Sequence, residues 1–175
     1  MLNARTVHPS NLSAAEIAVW EGLVAAEPAF GNPLLGPDFA QAVGVVRADA
    51  RVTVFRDGEQ VIGFLPHHRR PGGLGRPLGA PLSDYHGLIA SADAGLTQAE
   101  VLRLAGLSAY RFTGLIDPHG VFAGTEQGES AGYAISLNET AESYLERLRA
   151  ASPKRFKNWR RLDSKLEREV GPVRM

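Results

Sequence analysis

The chain has no cysteine among its 175 residues. Disulfides, thiolate nucleophiles and thiolate metal sites are therefore excluded, and the absence fits a reducing compartment. No apolar run approaches the ~20 residues a membrane span needs. Met1 to Thr6 offers no basic run followed by an apolar core, so no signal peptide is expected and the reading is cytoplasmic. Internal repeats and low-complexity tracts are lacking. There is no excess of charge of either sign, with 19 Lys/Arg against 19 Asp/Glu. What is present is ordinary for a soluble globular protein: 44% hydrophobic and 22% charged residues, in a chain long enough for one domain with a real core.

The charge is unevenly spread. Residues 1–146 hold 9 Lys/Arg and 16 Asp/Glu, a net of −7, whereas residues 147–175 hold 10 and 3, a net of +7. A basic end of this kind can meet an acidic body, a ligand or a nucleic acid.

In chain order, Arg5 to His8 reads as a first strand. Ser13-Ala14-Ala15-Glu16 is a capping box, followed by Ile17, Trp20, Leu23 and Val24 at helical spacing, with Trp20 as a core anchor. Asn32-Pro33 marks a turn, and Pro37 opens a second helix. Residues 51–56 and 60–66 are β-rich runs around Asp57-Gly58, a strong hairpin signal. His67 to Gly73 is expected to leave the sheet. The stretch Gly75 to Gly87 reads as a Pro-stiffened, Gly-released loop, with His86 to Ile89 as the next strand. A helix from Thr97 to about Tyr110, a strand over 111–117, a loop over 120–132 and a strand over Tyr133–Leu137 follow. Thr140 begins a helix, and Ser152-Pro153 begins the last one, stopped by Gly171-Pro172. There Phe156, Trp159, Leu162, Leu166 and Val170 form one apolar stripe among Lys and Arg. The order predicts an α/β (α+β) fold, a mixed sheet with helices on both faces, ending in a long basic amphipathic helix.

Three motifs suggest chemistry. Gly128-Glu129-Ser130-Ala131-Gly132 spells G-x-S-x-G, but no strand leads into Ser130 and no histidine follows it, so a nucleophile elbow is rejected. Arg70-Pro71-Gly72-Gly73-Leu74-Gly75 spells R-x-x-G-x-G, a pyrophosphate loop of GNAT acetyltransferases. Such a loop needs free amides and a helix directly behind it, and Pro77 and Pro81 oppose a helix. In Ser83-Asp84-Tyr85-His86, extended backbone would put Asp84 and His86 on one face, able to orient an imidazole and accept a proton. The alternative is an Asp capping a turn beside a solvated His. His67-His68 reads as a strand end, because neighbours in a strand point apart, and no metal site is expected.

Several segments together resemble a known family. Asn32-Pro33-Leu34-Leu35, Pro37-Asp38-Phe39, Gly63-Phe64-Leu65-Pro66 and Gly75 to Tyr85 resemble the N-terminal half of cellulose-biosynthesis (CelD-like) acetyltransferases. These are GNAT-superfamily proteins related to FemAB aminoacyl transferases. Lys154-Arg155, Arg160-Arg161-Leu162 and Lys165 to Gly171 resemble the basic helix joining the two halves of such proteins. The resemblance implies a GNAT-like domain over 1–151, a connecting helix over 152–171 and the start of a missing second domain at 172–175. A degenerate single-domain relative remains the other form of that reading. Acetyl-CoA or another acyl-CoA would be a co-substrate of the full-length protein, bound by the second domain and not by this chain. By the resemblance Asp84 binds the acceptor or serves as its base, with Arg76, Tyr85 and His86 beside it. The acceptor, a small molecule or saccharide, would attack the acyl thioester directly.

The competing expectation is a non-catalytic module that docks an acidic partner or RNA through the basic helix. Residues 147–161 carry seven Lys/Arg and no acid. The apolar stripe on the same helix needs a packing partner, which weighs against nucleic acid, and its exposure would favour a homodimer.

Overall fold

The structure, a computed structural model, describes residues 1–129, 131–132 and 138–172. Two compact units divide the chain, residues 1–130 and residues 131–175.

The first unit is built on strand β3 (Gln60–Arg69). β1 (Leu2–Val7) and β2 (Ala50–Asp57) lie to one side of it, all antiparallel. The expected hairpin turns at Gly58-Glu59. The other edge of β3 is divided. β6 (Ile89–Ala90) pairs with Gly63 and Phe64, and β4 (Leu74–Pro77) pairs with His67 to Arg69. β7 (Ala109–Tyr110) extends the sheet parallel to β4, so the sheet is mixed as predicted. A separate parallel pair joins β5 (His86–Gly87) to β8 (Leu115–Ile116).

Helices cover both faces. α1 (Ala14–Ala26) and α2 (Pro37–Val46) pack over a core of Trp20, Phe30, Leu35, Val52, Val54 and Phe64. α3 (Gln98–Ala105) covers the other, with Val101 and Ala105 against Phe55 and Leu65. Between the two faces β2 and β3 shift register at Phe55/Arg56, which re-aims the alternation along β3.

Trp20 anchors the first core: its ring stacks on Phe64 at 4.8 Å, and Nε1 donates to the Leu35 carbonyl at 2.9 Å. The capping box at Ser13 forms, and its Glu16 does more than cap. The buried carboxylate accepts from Ser13 N, from Arg5 on β1 and from Arg56 on β2, tying helix to sheet.

Four expectations need correction. The sheet does not end at Pro66, because His67, His68 and Arg69 continue β3, opposite β4. Residues 75–77 of the presumed loop are strand, not loop. The helix begun at Thr97 stops at Gly106, well short of Tyr110. The strand expected over 86–89 divides into β5 and β6, in different sheets, and the one expected over 111–117 shortens to β8. The expected strand Tyr133–Leu137 lies outside the described residues.

In the second unit Thr140 caps α4 (Ala141–Ala151), and α5 (Pro153–Glu169) follows Ser152. Ser152 stands at the cap position without a side-chain cap bond.

Burial pushes the Glu16 carboxyl up, but the Ser13 amide and hydroxyl and the two arginines outweigh it and hold the pKa near 2. Glu16→Gln should cost about 2 kcal/mol in thermal or denaturant unfolding at pH 7. Because the folded pKa is depressed, this contribution is complete above about pH 4.5, the unfolded value. It is lost as the pH falls toward 2. The wild-type and Gln curves should therefore converge in acid.

Candidate functional site

After β4 the chain turns sharply away from the sheet, and three polar bonds set its path. Ser83 Oγ donates to the Leu78 carbonyl at 2.7 Å, and Leu82 N donates to the Gly79 carbonyl at 2.9 Å. The Gly79 amide donates to His68 Nε2 at 3.0 Å. Gly79 has φ +77°, and a Cβ there would lie 2.6 Å from Phe39 Cζ, so α2 presses on the turn where only glycine fits.

Asp84 follows at a bend and is exposed, as is Arg76, while Tyr85 is half-buried. The backbone behind Asp84 is closely held. His86 N donates to the Gly114 carbonyl at 3.1 Å. A Cβ on Gly114, at φ +65°, would strike the Asp84 carbonyl oxygen. Thus the carboxylate projects from fixed backbone.

His86 is only 5% exposed. Its Nδ1 lies 3.5 Å from Ser83 Oγ, and Nε2 has no hydrogen-bond partner among the described residues. Burial pushes its pKa down to about 4 against the pull of Asp84, so the ring is neutral near pH 7. Of the two alternatives for this stretch, the shared face of Asp84 and His86 is not formed, and the solvated His86 of the other is corrected too, since the ring is buried. The bend at Asp84 breaks the strand alternation, sending Asp84 outward and His86 inward toward Ser83. The sequence thus brings together Ser83 and His86, with Asp84 close enough to act on His86 through its charge.

Two residues bearing on this loop, His68 and Asp49, were not among the expected site residues. His68 on β3 is buried, and Asp49, just before β2, places Oδ1 3.2 Å from His68 Nδ1. Asp49 also takes both Arg47 nitrogens, at 3.0 and 3.1 Å, and Arg70 at 3.3 Å. Since Nε2 accepts from Gly79, the ring proton sits on Nδ1, which is close to Asp49 but makes no aligned hydrogen bond among the described residues. The available signal was the pairing of Ala50 with His68, which puts Asp49 beside that ring once the hairpin is extended.

The R-x-x-G-x-G turn does not fit coenzyme A. The Gly73 amide is spent on the Arg70 carbonyl and the Arg70 amide on the Leu74 carbonyl, and β4 follows where a helix would have to start. Ser130 of the G-x-S-x-G pattern lies outside the described residues. Among the described residues no cluster of His, Asp or Glu could hold a metal ion. Among the described residues no helix is long and apolar enough to cross a membrane. In the second unit, two shallow hollows lie along α5. One is lined by Trp159, Leu162 and Leu166 and the other by Phe156, Lys157 and Arg161.

No family model matches the sequence, and no curated protein matches it. Among solved structures, a ribosomal-protein-alanine N-acetyltransferase from Brucella melitensis biovar Abortus 2308 is similar, with a TM-score of 0.42 and 16% sequence identity. The likeness covers 80% of this chain and 100% of that one. Identity and score at that level assign no family.

His67, fully buried with Nδ1 3.0 Å from the Leu65 carbonyl, is likewise held down to about 4 by burial. For both histidines the unfolded chain takes up a proton near 6.5, whereas the folded chain does so only near 4. Stability should therefore be complete above about pH 6.5 and fall as the pH drops toward 4. Melting curves across that window measure this, and His86→Gln should flatten the slope. Ser83→Ala should cost about 1–2 kcal/mol by stripping the Leu78 carbonyl of its donor.

Proposed function

We propose that this chain is the acceptor-side domain of a GNAT-superfamily acyltransferase, acting with an acyl-CoA bound by a second domain. The acceptor is a small molecule or saccharide bearing an amine or hydroxyl, with cellulose or a related exopolysaccharide as the biosynthetic setting. The observation that carries the reading is the braced loop: Asp84 stands exposed on backbone held by Gly114, above a turn held by Ser83 and His68. The mixed sheet with helices on both faces suits that superfamily, and the segments that resemble CelD-like proteins include this loop.

Asp84 would orient the acceptor and accept the proton it loses on attack. Arg76 and Tyr85 supply a cation and a phenol on the same stretch for recognition. His86, neutral and turned inward, positions the loop and takes no part as an acid near pH 7. The R-x-x-G-x-G turn gives no seat to the donor, so no step is assigned to it here.

A second reading rests on α5. Trp159 is 48% exposed and Val170 78%, in a helix with Lys and Arg around the stripe. A docked partner, a second copy or the second acyltransferase domain would each cover those side chains.

With the product of the complete reading frame, Asp84→Ala and Asp84→Asn should each lower acyl-transfer kcat/KM by about 10²-fold or more. Unchanged transfer in both would overturn the assignment. Calorimetry of this chain with acetyl-CoA should give no binding heat, and micromolar affinity would refute a donor site elsewhere. If RNA were the partner of α5, its affinity would fall steeply with added salt.

A further inference from the structure

We infer that His68 is a positioning residue for the acceptor loop, its Nε2 latching the Gly79 amide while the nearby Asp49 carboxylate favours, by its charge, the ring proton on Nδ1. The inference rests on the proposed role of Asp84, but the latch itself is a separate physical claim.

The geometry is a relay across the sheet. Asp49 Oδ1 lies 3.2 Å from His68 Nδ1, and Gly79 N donates to Nε2 at 3.0 Å. Gly79 cannot shift toward α2, because Phe39 already fills the space where its Cβ would be. From Gly79 the path runs through the Leu82 amide and the Ser83 hydroxyl to Asp84, five residues on. No other contact described here joins the Gly79 amide to the sheet.

An imidazole in this place differs from an apolar filler in one respect: it can lose its acceptor. Protonation puts hydrogen on both nitrogens, and Nε2–H then opposes the Gly79 N–H instead of receiving it. The charged groups facing the ring are Asp49, which favours that proton, and Arg47 and Arg70, which oppose it, with burial the largest opposing influence. Their balance holds the His68 pKa below its ordinary value, so the latch is closed near pH 7 and opens in acid.

The experiment compares wild type with His68→Gln and His68→Leu. Gln can present Oε1 to Gly79 but cannot titrate, and Leu can do neither. Hydrogen exchange at the Gly79 amide, expressed as a protection factor, reads the latch directly. The acceptor and donor KM values of the complete protein read its consequence.

We expect His68→Leu to lower Gly79 protection and raise the acceptor KM, each about tenfold, with the acyl-CoA KM unchanged. His68→Gln should stay within about twofold of wild type at pH 7.5 and lack the loss of Gly79 protection that wild type shows in acid. The imidazole nitrogen shifts of wild type should show a bare Nε2 at neutral pH, a readout that survives if His68→Leu does not fold. A protonated Nε2 there, or Gly79 protection unchanged in His68→Leu, would overturn the latch. If the exchange results hold while Asp84→Ala keeps full transfer, the acyltransferase reading falls and the latch stands.

Discussion

One strand edge has to serve two partners. β3 runs for ten residues, and its edge away from β2 is taken by β6 at Gly63 and Phe64 and by β4 from His67 onward. Between these partners stand Leu65 and Pro66, and Pro66 has no N–H to offer a ladder. The chain connecting β4 to β6 cannot continue in the sheet and must leave it. That departure is residues 78–88, the loop bearing Asp84. The fork in the sheet thus releases the segment from which Asp84 projects, while Ser83 and His86 on the same segment turn inward.

Two buried or half-buried acids hold the frame around that fork, and each gathers a pair of arginines. Glu16 joins α1 to β1 and β2 through Arg5 and Arg56. Asp49 joins the end of α2 to the end of β3 through Arg47 and Arg70, with His68 as a third partner. Each acid lies below its ordinary pKa because these cations and hydrogen bonds outweigh its burial. Joints of this kind cost stability if one member is removed, since the remaining charges lose their compensation.

Much of the frame was readable because the signals were local. The Ser13–Glu16 box, the helix start at Thr97, the hairpin signal of Asp57-Gly58 and Pro37 each act within four residues, and each produced its element, the hairpin turning one residue on at Gly58-Glu59. The failures share a different cause. His67 and His68 read as an exit from the sheet, yet both are buried in β3, with one ring nitrogen of each bonded, to the Leu65 carbonyl and to the Gly79 amide. The two-residue strands β5 to β8 exist through pairing with distant backbone, which no window of sequence contains. At the loop, strand periodicity was the wrong ruler: a bend at Asp84 reversed which side chains meet, giving His86 to Ser83. Asp49 carried no motif and became meaningful only once Ala50 was seen opposite His68.

The contact between Gly114 and the Asp84 carbonyl oxygen bears on how such a site could change over time. Side chains around an exposed carboxylate are free to vary, but the backbone that carries it is wedged from behind by a residue with no side chain at all. A side chain at 114 would force the Asp84 backbone or its own to shift without altering the charge of the carboxylate. Position and chemistry are therefore separately adjustable at this loop: one through residue 114 at the bend before β8, the other through residues 76, 84 and 85.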